Sequence, residues 1–192
     1  MLAYEVRDRV AIVRLRTIPE PGTWFQELDV ILDDDGAWCL LVDATAVTEL
    51  HGAWDDRAIG TALEWRKPSV LAFAGDRDHR FDAFHDGFDI TVASPQAKLN
   101  GLDAVSWRQA GKIFALAEDP FTEALRLATV VASRAPHATQ LAKEAIWRGM
   151  EMPLQQALRF ETDLTLLLQT TKDRAEGVAA FIEKRQPNFT GS

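Results

Sequence analysis

The stretch "SVLAFAGDRDHRFDAFHDGFDITVAS", Ser69 to Ser94, sets an apolar run on each side of a polar segment. "SVLAFAG" reads as a buried strand ending at Gly75, and "ITVAS", Ile90 to Ser94, reads as a second. Between them the fourteen residues Asp76 to Asp89 carry nine ionisable side chains. A strand that ends in a turn does not need that many charges, so this segment is either a working site or the remnant of one.

Outward from this segment the same pattern repeats. "VAIVRL", Val10 to Leu15, and "AWCLLV", Ala37 to Val42, are further strand candidates, and "TWFQELDVIL" between them places Trp24, Leu28, Ile31 and Leu32 at helical spacing. "DDRAIGTALEW", from Asp55, is a shorter helix-like stretch before the Ser69 strand. Strands alternating with helices predict an α/β layer, and strands apolar along their whole length predict a sheet covered on both faces.

The second half reads as helical. Asp119 before Pro120 starts one helix, Pro136 lies in the first turn of another, and Gly149 falls just past its end. Leu154, Ala157, Leu158, Leu164, Leu167 and Leu168 form an apolar stripe on a third helix that needs a partner. A last helix opens near Asp173, is expected to turn Val178, Phe181 and Ile182 inward, and stops at Pro187.

The 192 residues are 47% hydrophobic, enough for a sizeable core in one unit. A net charge of −8 without a basic stripe excludes a nucleic-acid groove, which needs clustered Lys and Arg. No segment approaches the ~20 apolar residues of a membrane span, and "MLAYEVRDRV" has no apolar signal region, so a cytoplasmic protein is expected. The single cysteine, Cys39, lies in an apolar strand and reads as an inert buried thiol.

The C-terminal segment "TTKDRAEGVAAFIEKRQPNFTG" resembles the signature of the crotonase, or enoyl-CoA hydratase and isomerase, superfamily at Asp173, Glu176, Gly177, Ala180, Phe181, Lys184, Arg185, Pro187 and Phe189. "LAKEAIW", "KPSVLAFAG", "FDITVASPQAKL" and "AVSWRQAGKI" follow in the family's order. The resemblance implies a crotonase-like ββα spiral over residues 1–118 and a C-terminal helical trimerisation region over 119–192. It also implies an acyl-thioester substrate and two backbone N–H groups forming an oxyanion hole.

Carried over residue by residue, the first donor falls on Ala53 in "LHGAWDD", with Trp54 where the family usually has Asp. The second falls on Arg80, because His79, Arg80 and Phe81 replace a run of glycines that admits close approach of a ligand. The water-delivering glutamate falls on Ala83, which transfers no proton. The second acid falls on Asp103 by one gap placement, whereas the other placement puts Asp103 in a later helix and leaves no acid. A long segment typical of the family is missing near this point. Standard enoyl-CoA hydration is therefore not expected, and CoA enters only as part of a thioester, not as a resident cofactor.

Other chemistry comes from His51 and His79, which the alignment sets on separate loops beside the oxyanion hole, with Asp55 and Asp78 as neighbours. Either imidazole suits general acid–base work, and filling vacated volume is the structural alternative. Trp54, Phe81 and Ala83 are pocket candidates, and Trp65 and Trp107 could also wall an acyl chain or simply be core. In a helix after Phe81, Asp82, His85, Asp86 and Asp89 would share a face, a spacing that could gather ligands for a divalent ion but is more commonly that of a solvated surface, so no metal is expected. Two functions remain open: a lyase- or isomerase-type enzyme (dehydration, decarboxylation, isomerisation or cyclisation of an acyl thioester on CoA or a carrier protein), or a catalytically silent accessory subunit for a partner enzyme. A homo-oligomer is expected from Leu154, Leu158, Leu164 and Leu168, and the resemblance implies that it is a trimer or hexamer.

Overall fold

The computed structural model describes residues 2–51, 54 and 65–192. Its centre is a six-stranded sheet in the order β1 (Tyr4–Arg7), β2 (Val10–Arg14), β4 (Cys39–Ala44), β6 (Ser69–Phe73), β8 (Ile90–Ala93), β11 (Ala115–Leu116). β1 pairs antiparallel with β2, and every later neighbour is parallel. The strand expected over Ala37–Val42 starts two residues later, and Val42 pairs with Val13 and Leu71. The apolar runs are continuous because both faces are covered. One face carries Ala11, Val13, Leu40, Val42, Leu71 and Phe73 against Trp24, Leu28 and Ile31 of α1 (Pro21–Leu32) and an aromatic cluster. The other carries Val10, Ile12, Cys39, Leu41, Val70, Ala72 and Val92 against Ala124, Ala128 and Ala132.

Those alanines line one stripe of α4 (Pro120–Ala132), whose small side chains let the helix lie close on the sheet. α4 therefore packs as a layer of the sheet, while α5 (Pro136–Gly149), α6 (Leu154–Leu168) and α7 (Lys172–Glu183) continue beyond it. Two small ribbons complete the described elements: β3 (Thr17–Ile18) with β5 (Glu49–Leu50), and β7 (Asp76–Arg77), β9 (Lys98–Leu99) and β10 (Leu102–Asp103). α2 (His79–Asp86) and α3 (Ala104–Gln109) follow β7 and β10.

A buried ionic network anchors α5 to the sheet. Lys143 Nζ lies 2.8 Å from Asp89 Oδ2, which also accepts from the Ser69 N–H at 2.8 Å and the Ser69 hydroxyl at 3.0 Å. The C-terminal segment is held by acids as well. Asp173, buried, accepts from the N–H groups of Thr190 and Gly191, and Glu176 takes the Arg185 guanidinium at 2.6 and 2.9 Å.

Two expectations about the C-terminal helices are corrected. Val178, Phe181 and Ile182 do not turn inward: Phe181 is 85% exposed, and α7 contributes Ala180 and Asp173 to the interior instead. On α6, Leu164 is buried rather than exposed, and Leu168 is half-buried. Leu154, Leu158, Leu166 and Leu167 do stand in solvent. The helical spacing was read correctly, but one stripe was assigned a single environment although the helix has one side against α5 and another facing away.

Candidate functional site

Parallel strands send their connections out at their carboxyl ends, and open α/β sheets bind ligands there. At this edge β2 leads into β3, β4 into β5, β6 into β7 and α2, and β8 into β9, β10 and α3. The polar segment Asp76 to Asp89 is thus brought beside the segment that follows β5. Two bonds fix that segment: the His51 N–H donates to Ile18 O at 2.8 Å, and Trp54 Nε1 donates to Pro19 O at 3.2 Å.

The predicted site residues fall into four groups. His51 and His79 are exposed, on the segments leaving β4 and β6; His51 Nε2 lies 3.6 Å from Glu49 Oε2. Ala53 and Asp55 lie outside the described residues. Trp54 and Phe81 are buried in the aromatic cluster instead of lining an open pocket: Trp54 meets Phe84 edge-on at 5.0 Å, and Phe81 lies 5.2 Å from Phe73. Trp65 belongs to the same cluster, 6.3 Å from Trp24. Trp107 donates its indole N–H to Leu99 O, and Ala83 packs half-buried against the core.

Arg80 and Asp103 act locally as parts of helix caps. Asp78 is the N-cap of α2, accepting from the Arg80 N–H at 3.0 Å, and the same carboxylate grips the Arg80 guanidinium at 2.6 Å. The Arg80 side chain thereby holds the Asp78 carboxyl below its ordinary range. The N–H expected to serve as a second oxyanion donor already has an anionic acceptor. Asp103 caps α3 through the Ser106 N–H at 2.8 Å, which lowers its pKa and points its charge at a helix start.

The helical face of Asp82, His85, Asp86 and Asp89 splits. Asp89 turns to Lys143, while His85 is 3% exposed with Nδ1 2.9 Å from Asp86 Oδ1, and Asp86 is paired with Lys112 at 3.0 Å. Burial and the Asp86 charge raise the Asp82 pKa. Among the described residues no three acidic, histidine or cysteine side chains are grouped to hold a metal ion.

Sequence reasoning named Asp78 only as a neighbour of the histidines, missing its role as a cap, and missed Arg77 altogether. Asp78 carried a usable signal, since Asp is among the residues preferred immediately before a helix. Arg77 carried none, because its role depends on where β4 ends. Its Nη2 donates to Ala44 O at 3.2 Å, and its guanidinium stands 5.5 Å from the Phe81 ring.

The enoyl-CoA hydratase/isomerase family profile matches residues 97–192, half of the chain. The chain belongs to this family. Among its relatives, the 2,3-dehydroadipyl-CoA hydratase of Escherichia coli K12 is 46% identical over 68 residues, covering 35% of this chain and 27% of that protein. A probable enoyl-CoA hydratase of Mycobacterium bovis is 38% identical over 91 residues, covering 46% of this chain and 35% of that protein. These matches span about a third or less of the relatives' length. The crotonase fold extends over the whole chain. An enoyl-CoA hydratase structure from Polaromonas superposes with a TM-score of 0.84 at 18% identity, covering 98% of this chain and 99% of that one. An enoyl-CoA hydratase/isomerase structure from Mycobacterium paratuberculosis gives 0.83 at 23%, covering 100% and 98%.

The profile match begins after α2. The family assignment therefore rests on the C-terminal half, while His51, Arg77, His79, Arg80, Phe81 and Ala83 lie before the matched segment. No helix among the described residues is long and apolar enough to cross a membrane.

Proposed function

We propose that this crotonase-family chain acts on an acyl thioester, carried by CoA or a carrier protein, through a lyase- or isomerase-type reaction that does not use the two-carboxylate hydration chemistry. The observation that carries this reading is the set of side chains at the carboxyl edge: Ala83 offers no acid and Asp103 is committed to a cap, whereas His51 and His79 are solvent-accessible on the connections leaving β4 and β6. Imidazoles change charge near neutral pH and transfer protons to or from carbon next to a polarised thioester carbonyl. Ala53 N–H is the remaining family-type donor for the developing oxyanion. The exposed leucines of α6 together with Phe181 and Ile182 of α7 support a homotrimer or hexamer within this reading. A cytoplasmic location is part of it too.

One observation favours a second reading, an accessory subunit for a partner enzyme. The Arg80 N–H is occupied, and Trp54 and Phe81 fill interior volume. Titration calorimetry with butyryl-CoA and crotonyl-CoA, followed by mass analysis of products, separates the two. Micromolar binding and turnover that falls at least a hundredfold in H51A or H79A supports the enzyme. Binding with no product from any acyl-CoA supplied, or turnover indifferent to both substitutions, removes the acid–base assignment. Absence of binding leaves the accessory reading.

A further inference from the structure

Several arginines of this protein pair with a carboxylate at the surface, as in Arg14 with Glu5, Arg80 with Asp78, Arg126 with Glu123 and Arg185 with Glu176. Arg77 is the reverse. It is half-buried, and among the described residues no carboxylate lies within ion-pair distance of its guanidinium. Burial lowers its pKa, with only the exposed neighbour Asp76 pulling the other way.

The side chain is also poorly satisfied as a donor. Nη2 reaches Ala44 O at 3.2 Å and Nη1 reaches Asp76 O at 3.3 Å, both near the long limit for N–H···O bonds. Nε is buried with no acceptor. Five N–H groups are present, so one hydrogen on each terminal nitrogen remains uncommitted in addition to Nε–H. A partly desolvated cation without a counter-charge is costly and is normally found paired. The position is specific as well: the guanidinium bridges the ends of β4 and β6–β7, at the sheet edge where ligands bind, with the Phe81 ring on one side.

We propose that Arg77 anchors a carboxylate at the far end of the substrate's acyl chain, so that the thioester is that of a dicarboxylic acid. A planar fork of N–H groups matches the two carboxylate oxygens, and the anion supplies the charge that the described residues do not. The inference rests on the acyl-thioester reading above.

The test compares succinyl-CoA with butyryl-CoA, which share a four-carbon acyl chain and differ in a terminal carboxylate against a methyl. Binding is measured by calorimetry for the natural protein, R77M and R77K, with circular dichroism to verify folding. The expected result is at least tenfold tighter binding of succinyl-CoA, reduced to less than threefold in R77M and partly kept in R77K. A ratio near one in the natural protein overturns the inference while leaving the thioester reading intact. So does a tenfold ratio that persists in R77M, or in the equally uncharged R77Q if R77M does not fold. Failure of both esters to bind overturns the thioester reading itself, and this inference with it.

Discussion

Lys143→Met tests the joint between the C-terminal helices and the sheet. The Lys143 side chain is 7% exposed and that of Asp89 is 19% exposed, with 2.8 Å between Nζ and Oδ2. Removing one partner of such a pair leaves a charge in a site it cannot leave, which costs about 3–5 kcal/mol. Asp89 keeps the Ser69 N–H and hydroxyl and, at 3.3 Å, the Trp147 indole N–H. These neutral donors hold part of the charge, so the expected loss is about 3 kcal/mol. For 192 residues at about 2.1 cal/mol/K each, the unfolding entropy is about 0.4 kcal/mol/K, so the midpoint should fall by about 7 °C. Urea unfolding at constant m-value gives the free energy. Asp89→Asn alone strands the lysine, and the double variant should be more stable than the two single losses predict by at least ~1 kcal/mol. Additive losses, or a K143M effect below ~1 kcal/mol, would refute the idea that this pair is the joint.

Phe84→Ala empties the centre of the aromatic cluster, where Phe84 meets Trp24, Trp54, Phe81 and Phe88 at 5.0–5.6 Å, and should cost about 3–5 kcal/mol in urea unfolding. Asp173→Ala removes the acceptor of the Thr190 and Gly191 N–H groups, so amide exchange at those two residues should accelerate at least tenfold while the sheet strands stay protected. Arg185 holds the Glu176 carboxyl down at about 2. Because the folded value lies below the unfolded one of about 4.3, the stabilisation is fully present above that pH and is lost as pH falls toward 2. Protection of the Asn188 amide, whose N–H donates to Glu176, measured relative to its intrinsic exchange rate, should fall across this window in the natural protein and stay flat in E176Q.

The sheet was legible in the sequence because a parallel strand buried on both faces has to be apolar at every position, and four such runs stand out. Helix starts were legible where a chemical signal exists, as at Asp119–Pro120, whose carboxylate does accept from the Thr122 N–H. What could not be read was the direction of large side chains once they leave an element. Trp54 and Phe81 were equally consistent with a pocket wall and a core, and only the placement of Phe84 and Phe73 beside them settles on the core. Lys143 was hidden for the same reason: "LAKEAIW" gives no sign that an aspartate 54 residues earlier waits for its amine. Phe181 erred in the other direction, since apolar character at helical spacing does not say whether this chain or another surface covers it.

Substitution of large residues at positions 79–81 changes the electrostatics of the edge as well as its shape. The first amides of a helix are unpaired donors and, with the helix dipole, form a natural anion site. In α2 the Arg80 N–H goes to the Asp78 carboxylate and the Phe81 N–H to the Asp78 carbonyl. Since Arg80 keeps Asp78 ionised, a substrate oxyanion reaching for the Arg80 amide would meet a resident negative charge. The Arg80 amide is thus taken up from within, while three residues before it stands a guanidinium, at the end of β4, that no carboxylate among the described residues neutralises. If negative charge is bound at this edge, Arg77 is a half-buried described cation that can meet it, and binding would shift from recognition of a carbonyl oxygen toward recognition of a formal anion.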